Sequence, residues 1–150
     1  MSFGTAGSPY YFNCGNARRR ESGMKNDRKF FKCNICGNMI EKIEDVGPDI
    51  VCCGQEMTLL VPNTTDAAQE KHVPVATRNG NVIDVQVGSV LHPMMAEHHI
   101  VWIVLAGSGW SQKVELTPAC EPKASFCVIG DAPVTVYEYC NLHGLWASEL

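Results

Sequence analysis

No apolar run in this sequence approaches the roughly 18 residues that a membrane-spanning helix needs, so no membrane partner is expected. The N-terminus has no apolar stretch behind a basic start, which is the mark of a secretory signal; a cytoplasmic location is expected. Basic residues are few: 12 Lys and Arg stand against 16 Asp and Glu, for a net charge of −4. That balance excludes a nucleic-acid binder that works through a basic surface. Internal repeats, low-complexity tracts and any stretch with a clear helical period are also missing. Charged residues make up only 19% and hydrophobic residues 45%, which is a globular balance. A length of 150 residues suits one ordinary domain, or one domain with a small module.

Cysteine and histidine are what the chain has in quantity. There are eight Cys, at 14, 33, 36, 52, 53, 120, 127 and 140, and five His. With no secretory signal, clustered cysteines read as metal ligands before they read as disulfides.

Residues 1–23 differ from the rest. They are rich in Gly, Ser and Asn, show no periodicity and carry Arg18-Arg19-Arg20. Their charge is +2 (three Arg, one Glu), leaving −6 for the remainder. They read as a disordered extension or a mis-assigned start, with Met24 as the natural initiator; Cys14 within them has no assigned role. Residues 24–60 read as a compact unit. Cys33-Asn34-Ile35-Cys36-Gly37 is followed by a strand-like Met39–Ile43, a Gly47-Pro48-Asp49 turn, and Cys52-Cys53-Gly54. So short a unit needs a metal or a disulfide to fold.

Residues 61–69 look like a polar linker at the head of a second unit, 61–150, whose pattern is all-β. Val82–Val87 alternates apolar and polar residues, and Ile100–Leu105 is continuously apolar, as in a strand buried on both faces. Lys113–Leu116, Phe126–Ile129 and Val134–Tyr139 complete a spacing that fits a β-sandwich of about seven strands.

Two groups of residues carry chemistry. Cys33-x-x-Cys36 sets two thiolates at one turn, and Cys52-Cys53 adds two more sixteen residues later. Four thiolates in a tetrahedron suit zinc or a rubredoxin-like iron. Neighbouring side chains in an extended segment diverge, so Cys52 and Cys53 can share a metal only if the backbone between them distorts. The second group is His72, His92, His98 or His99, Cys140 and His143. Imidazoles with one thiolate form a transition-metal donor set. Cys120 and Cys127 read as small, partly buried side chains.

Together these motifs resemble the desulfoferrodoxins, the two-iron superoxide reductases, over about residues 25–150. The carrying segments are Cys33-x-x-Cys36, Cys52-Cys53-Gly54, Glu70-Lys71-His72-Val73-Pro74, Gly88-Ser89-Val90-Leu91-His92-Pro93-Met94 and Glu138-Tyr139-Cys140-Asn141-Leu142-His143-Gly144. The resemblance implies a desulforedoxin-like module with iron on Cys33, Cys36, Cys52 and Cys53, followed by an immunoglobulin-like sandwich. It implies a second iron held by His72, His92, His98 and His143 in a plane, with Cys140 axial. The His-Pro-Met-x-x-x-His spacing selects His98 over His99. The sixth position would receive superoxide, with Glu70 able to cap it and Lys71 supplying local positive charge. The implied reaction is reduction of superoxide to hydrogen peroxide, the implied partners a rubredoxin-like electron donor and a second copy of the chain. A trans thiolate would push electron density onto the metal, much as in haem–thiolate enzymes.

Overall fold

A computed structural model describes residues 27–150. The expectations for residues 1–23, Met24 and Cys14 lie outside the described residues. The first described elements are short strands: β1 (Lys29–Lys32), β2 (Met39–Lys42), β3 (Val51–Cys52), β4 (Gln55–Glu56) and β5 (Thr58–Leu60). Strand β1 sits between β2 and β5, antiparallel to both, and β3 and β4 form a separate hairpin. Asp45 accepts salt bridges from Lys29 and Lys42 and fastens the following loop to this sheet. Those two ammonium groups hold the Asp45 carboxyl down at about 2.

A four-residue helical turn, α1 (Gln69–His72), then leads into β6 (Pro74–Asn79) and β7 (Val82–Val87). Next come β8 (Ile100–Gly107), β9 (Trp110–Glu115), β10 (Lys123–Cys127), β11 (Thr135–Cys140) and β12 (Gly144–Glu149). These seven strands form two antiparallel sheets, ordered β10-β7-β6 and β12-β11-β8-β9. Apolar alternation on each sheet builds the core between them, from Ile83, Val85, Val87, Ile103, Leu105, Phe126 and Val136 among others.

Strand β8 is buried on both faces, as its continuous apolar run predicts. Ile103 and Leu105 face the sandwich core, while Trp102, Val104 and Ala106 face outward. Phe30 of β1 covers that outer face: its ring lies 5.0 Å from Trp102 and 5.3 Å from Tyr137. Around it, Arg28 donates to the carbonyls of Gly107 and Trp110, and Lys32 Nζ donates to Tyr139 Oη at 2.8 Å. The small unit thus completes its apolar contacts against the larger one, which its own size cannot supply.

The sequence left three features unread. Strand β6 is an edge strand beginning at a proline, and β12 (Gly-Leu-Trp-Ala-Ser-Glu) has weak β-propensity after a tight turn; both exist through pairing with a neighbour. The linker-like 61–68 stretch is docked by Asn63, whose amide accepts from the Ala147 N–H and donates to the Ala147 carbonyl. Cys120 and Cys127 correct an expectation: both are exposed, not partly buried. Cys120 sits in a turn closed by Thr117, and the alternation of β10 points Cys127 outward.

Phe30→Ala removes the aromatic plug from the outer face of β8. A loss of about 3 kcal/mol is expected, read as a fall in the thermal unfolding midpoint of the full chain. An unchanged midpoint would count against docking through this ring.

Candidate metal centres

Cys33 directly follows β1 and Cys36 lies one turn further on, where Gly37 takes a positive φ of 79°. Cys52 and Cys53 close the β3–β4 hairpin. Cys53 has φ of 52°, a left-handed conformation rare outside glycine. This is the backbone distortion that two adjacent ligands require. The Sγ atoms of Cys36 and Cys52 are 3.6 Å apart and those of Cys52 and Cys53 are 3.9 Å apart. A tetrahedron with metal–sulfur bonds of about 2.3 Å has edges of about 3.8 Å, so the four sulfurs fit one ion. Backbone N–H groups of Cys36 and Ile35 pull the Cys33 thiol down to about 6, while crowding by its neighbours pushes Cys53 up to about 12.

The second group gathers at one end of the sandwich. Donor atoms of His72, His92, His98, Cys140 and His143 all lie within 4.8 Å of one another. The rings form a square. Centroids are 4.8 Å apart for His72–His92, 4.5 Å for His92–His98, 4.8 Å for His98–His143 and 4.7 Å for His143–His72, each pair close to perpendicular. The His72–His98 diagonal is 6.2 Å, with the rings nearly parallel. His72 Nε2 stands 3.2 Å from His92 Nε2 and 2.9 Å from His143 Nδ1. Metal–nitrogen bonds of about 2.1 Å in a square plane give neighbouring nitrogens about 3.0 Å apart.

The outer nitrogens fix the tautomers. His72 Nδ1 donates to the Ala68 carbonyl at 2.8 Å, and His92 Nδ1 donates to the Pro93 carbonyl at 2.6 Å. Their Nε2 lone pairs therefore face each other, an arrangement that a shared cation satisfies. Among the described residues, His98 Nε2 is buried with no hydrogen-bond partner. Burial lowers the basicity of His72, His92 and His98, bringing His92 to about 4, and so keeps the rings neutral as donors. The residues present thus fit a metal on their own geometry.

Each donor has a reason for its place. His72 closes α1, and Trp146 stacks on its ring at 5.0 Å while donating Nε1–H to the His143 carbonyl. His92 follows the turn at Gly88, where the chain runs against α1: Gly88 N–H donates to the Val73 carbonyl and Val90 N–H to the Glu70 carbonyl. A β-bulge at the end of β11 pairs Tyr139 with Trp102 but Cys140 with Ile100, aiming the strand end at the site. Cys140 Sγ lies 3.6 Å from His143 Nδ1, and burial pushes its thiol up. His99 points away, with Nδ1 toward the Met95 carbonyl.

Glu70 and Lys71 are exposed on α1. The Lys71 charge reaches both His72 and His98, lowering their basicity. Sequence reasoning gave no role to Trp146 or Glu138. Glu138 is fully buried two residues before Cys140, and neither of its oxygens has a partner among the described residues. Burial pushes its carboxyl well above the usual range, which favours the neutral acid. The only signal for it was a charged residue in an otherwise apolar strand.

Fold and donor sets define a class: a non-haem metalloprotein with a four-cysteine module and an immunoglobulin-like sandwich that carries four histidines and a cysteine. The family model for desulfoferrodoxin matches residues 64–149, and that for the desulfoferrodoxin N-terminal domain matches residues 25–60. The desulfoferrodoxin of Syntrophotalea carbinolica is 47% identical over 126 residues, covering 84% of this chain and 99% of that one. That of Nitratidesulfovibrio vulgaris is also 47% identical over 126 residues, with the same coverage of 84% and 99%. The crystal structure of the superoxide reductase from Treponema pallidum superposes with a TM-score of 0.68 at 34% identity, over 81% of this chain and 98% of that one. The chain belongs to the desulfoferrodoxin family.

A Cβ on Gly88 would meet the carbonyl oxygens of Val90, Lys71 and Glu70 at 2.3–2.8 Å, and its φ is +81°. Gly88→Ala is expected to push the His92 loop off α1 and cost about 2 kcal/mol. Chemical denaturation of the metal-free chain reads this directly, and wild-type stability would show that the loop gives way freely.

Proposed function

We infer that the protein is a superoxide reductase that carries two iron ions. The single observation that carries this is the square of four imidazoles beside one buried thiol, in a chain of this family. When bound, iron supplies one-electron chemistry: superoxide, one electron and two protons give hydrogen peroxide. Zinc has no such redox chemistry.

In this reading His72, His92, His98 and His143, together with the buried thiolate of Cys140, would hold the catalytic iron. The neutral imidazoles and the soft thiolate keep the site electron-rich. The iron held there would take superoxide as its substrate. Lys71, exposed on α1 beside His72, concentrates the anion against a net charge of −4. Glu70, beside it on α1, would be the carboxylate able to cap the iron. Cys33, Cys36, Cys52 and Cys53 hold the other iron, with sulfur spacings near a tetrahedral edge supporting it. The chain divides into a desulforedoxin-like unit, 24–60, and a superoxide reductase sandwich, 61–150, in keeping with the spans of the two matched models. A rubredoxin-like protein supplies the electrons, the working form is a homodimer, and the service is detoxification of superoxide. Free thiols at both centres suit a reducing, cytoplasmic setting.

Two irons per chain after anaerobic reconstitution, with rapid superoxide decay on pulse radiolysis, are the expected result. Cys140→Ser replaces a soft donor with a weak oxygen and should lose the second iron or its activity; full turnover would exclude Cys140 as a ligand. Lys71→Ala should slow the bimolecular step about tenfold and flatten its salt dependence. A rate equal to wild type at low salt would refute steering by Lys71.

A further inference from the structure

Asn141 lies between Cys140 and His143 in sequence and is not among the gathered donors. It is half-buried and makes three hydrogen bonds to a different segment. Its backbone N–H donates to the His99 carbonyl at 3.1 Å. Its side-chain Oδ1 accepts from the His99 N–H at 2.9 Å, and its Nδ2 donates to the Glu97 carbonyl at 2.9 Å. Both partners flank His98. The His98 peptide is closed on itself in turn, exchanging two backbone bonds with Met95 at 2.9 and 3.1 Å.

The physical need is clear from the bulge. After Cys140 pairs with Ile100, β11 turns away toward His143, and the β8 backbone loses its partner one residue before the histidine loop. The Asn141 amide takes over as a substitute rung, presenting an acceptor and a donor where the strand has ended. No other side chain among the described residues is recorded bonding the Glu97 carbonyl or the His99 N–H.

We propose that Asn141 is a positioning residue for the catalytic centre: it locks the loop that presents His98 onto the turn that presents Cys140 and His143. The proposal rests on the ligand set inferred above. It makes the placement of His98 dependent on an amide that never meets the metal.

The experiment uses the full chain and two readouts. The first is amide hydrogen exchange at His99 in the metal-free protein. The second is the iron affinity of the histidine-rich centre, measured by competition with a ferrous chelator under anaerobic conditions. Asn141→Ala should speed exchange at His99 by up to about tenfold and weaken iron binding by about 10- to 100-fold. Asn141→Asp keeps the acceptor for His99 N–H but loses the donor to Glu97. It should hold His99 exchange near wild type and weaken iron by less than the alanine variant, and it carries the test if Asn141→Ala does not fold. A merely structural residue would lower the unfolding midpoint without this split between the two variants. Iron affinity within twofold of wild type in both variants would overturn the proposal. His98→Ala is the control. If it loses iron while the Asn141 variants keep it, the ligand set stands and the positioning role fails. If it binds iron as wild type does, the ligand set itself fails, and the proposal with it.

Discussion

The mutual repulsion of unprotonated imidazole nitrogens is the constraint on which this molecule turns. Two Nε2 lone pairs face each other at 3.2 Å, because both Nδ1 atoms are committed to backbone carbonyls. Left alone, such a cluster would relax by swinging rings apart or by taking up protons. It cannot easily do either. Trp146 lies flat on His72, burial disfavours the charged rings, and the Gly88 turn holds the His92 segment against α1. The sandwich therefore holds ring nitrogens converging on one point, which is the sense in which the site is pre-organised for metal.

The same logic explains why the scaffold is β. Antiparallel ladders deliver His72, His92, His98, Cys140 and His143 from three separate segments, each at a strand end or in the loop beside it. A bulge at Tyr139/Cys140 adjusts the last of them. Strand β8 runs through the middle of the larger sheet with one face in the sandwich core and the other under Phe30, so the floor of the site and the seat of the small unit are two sides of one strand.

Much of this was legible in the chain. The two-faced burial of Ile100–Leu105 followed from its unbroken apolar run, and the alternation of Val82–Val87 marked its strand to the residue. The donors stood out because cysteine and histidine at short, fixed spacings have few other uses. The distortion at Cys53 followed from adjacency alone. What stayed hidden depends on partners far away in sequence. Strand β12 exists because β11 offers it a ladder, not because Ala147, Ser148 and Glu149 favour extension. Asn63 and Asn141 look like ordinary loop asparagines until the backbone groups they serve are in view. Glu138 gave a signal, a charge within an apolar strand, but its isolation from any partner is a fact of packing. The exposure of Cys120 and Cys127 was missed because small size says nothing about how a turn sits or which way a strand faces.

The contact between Lys32 and Tyr139 bears on how such a chain can vary in length. Cys33 directly follows Lys32 and Cys140 directly follows Tyr139, so one side-chain hydrogen bond sits one residue from a donor of each centre. Phe30 and Lys32 share a face of β1, and adding or deleting one residue there would turn both to the other side. Beyond the anchors at Asp45 and Asn63, the loop stretches 46–49 and 64–67 carry no such double commitment, and a residue gained or lost there can be absorbed in loop backbone. Among descendants of this sequence, length changes should therefore collect in those two loops, while the four residues of β1 and the two that lead into Cys140 stay fixed in number.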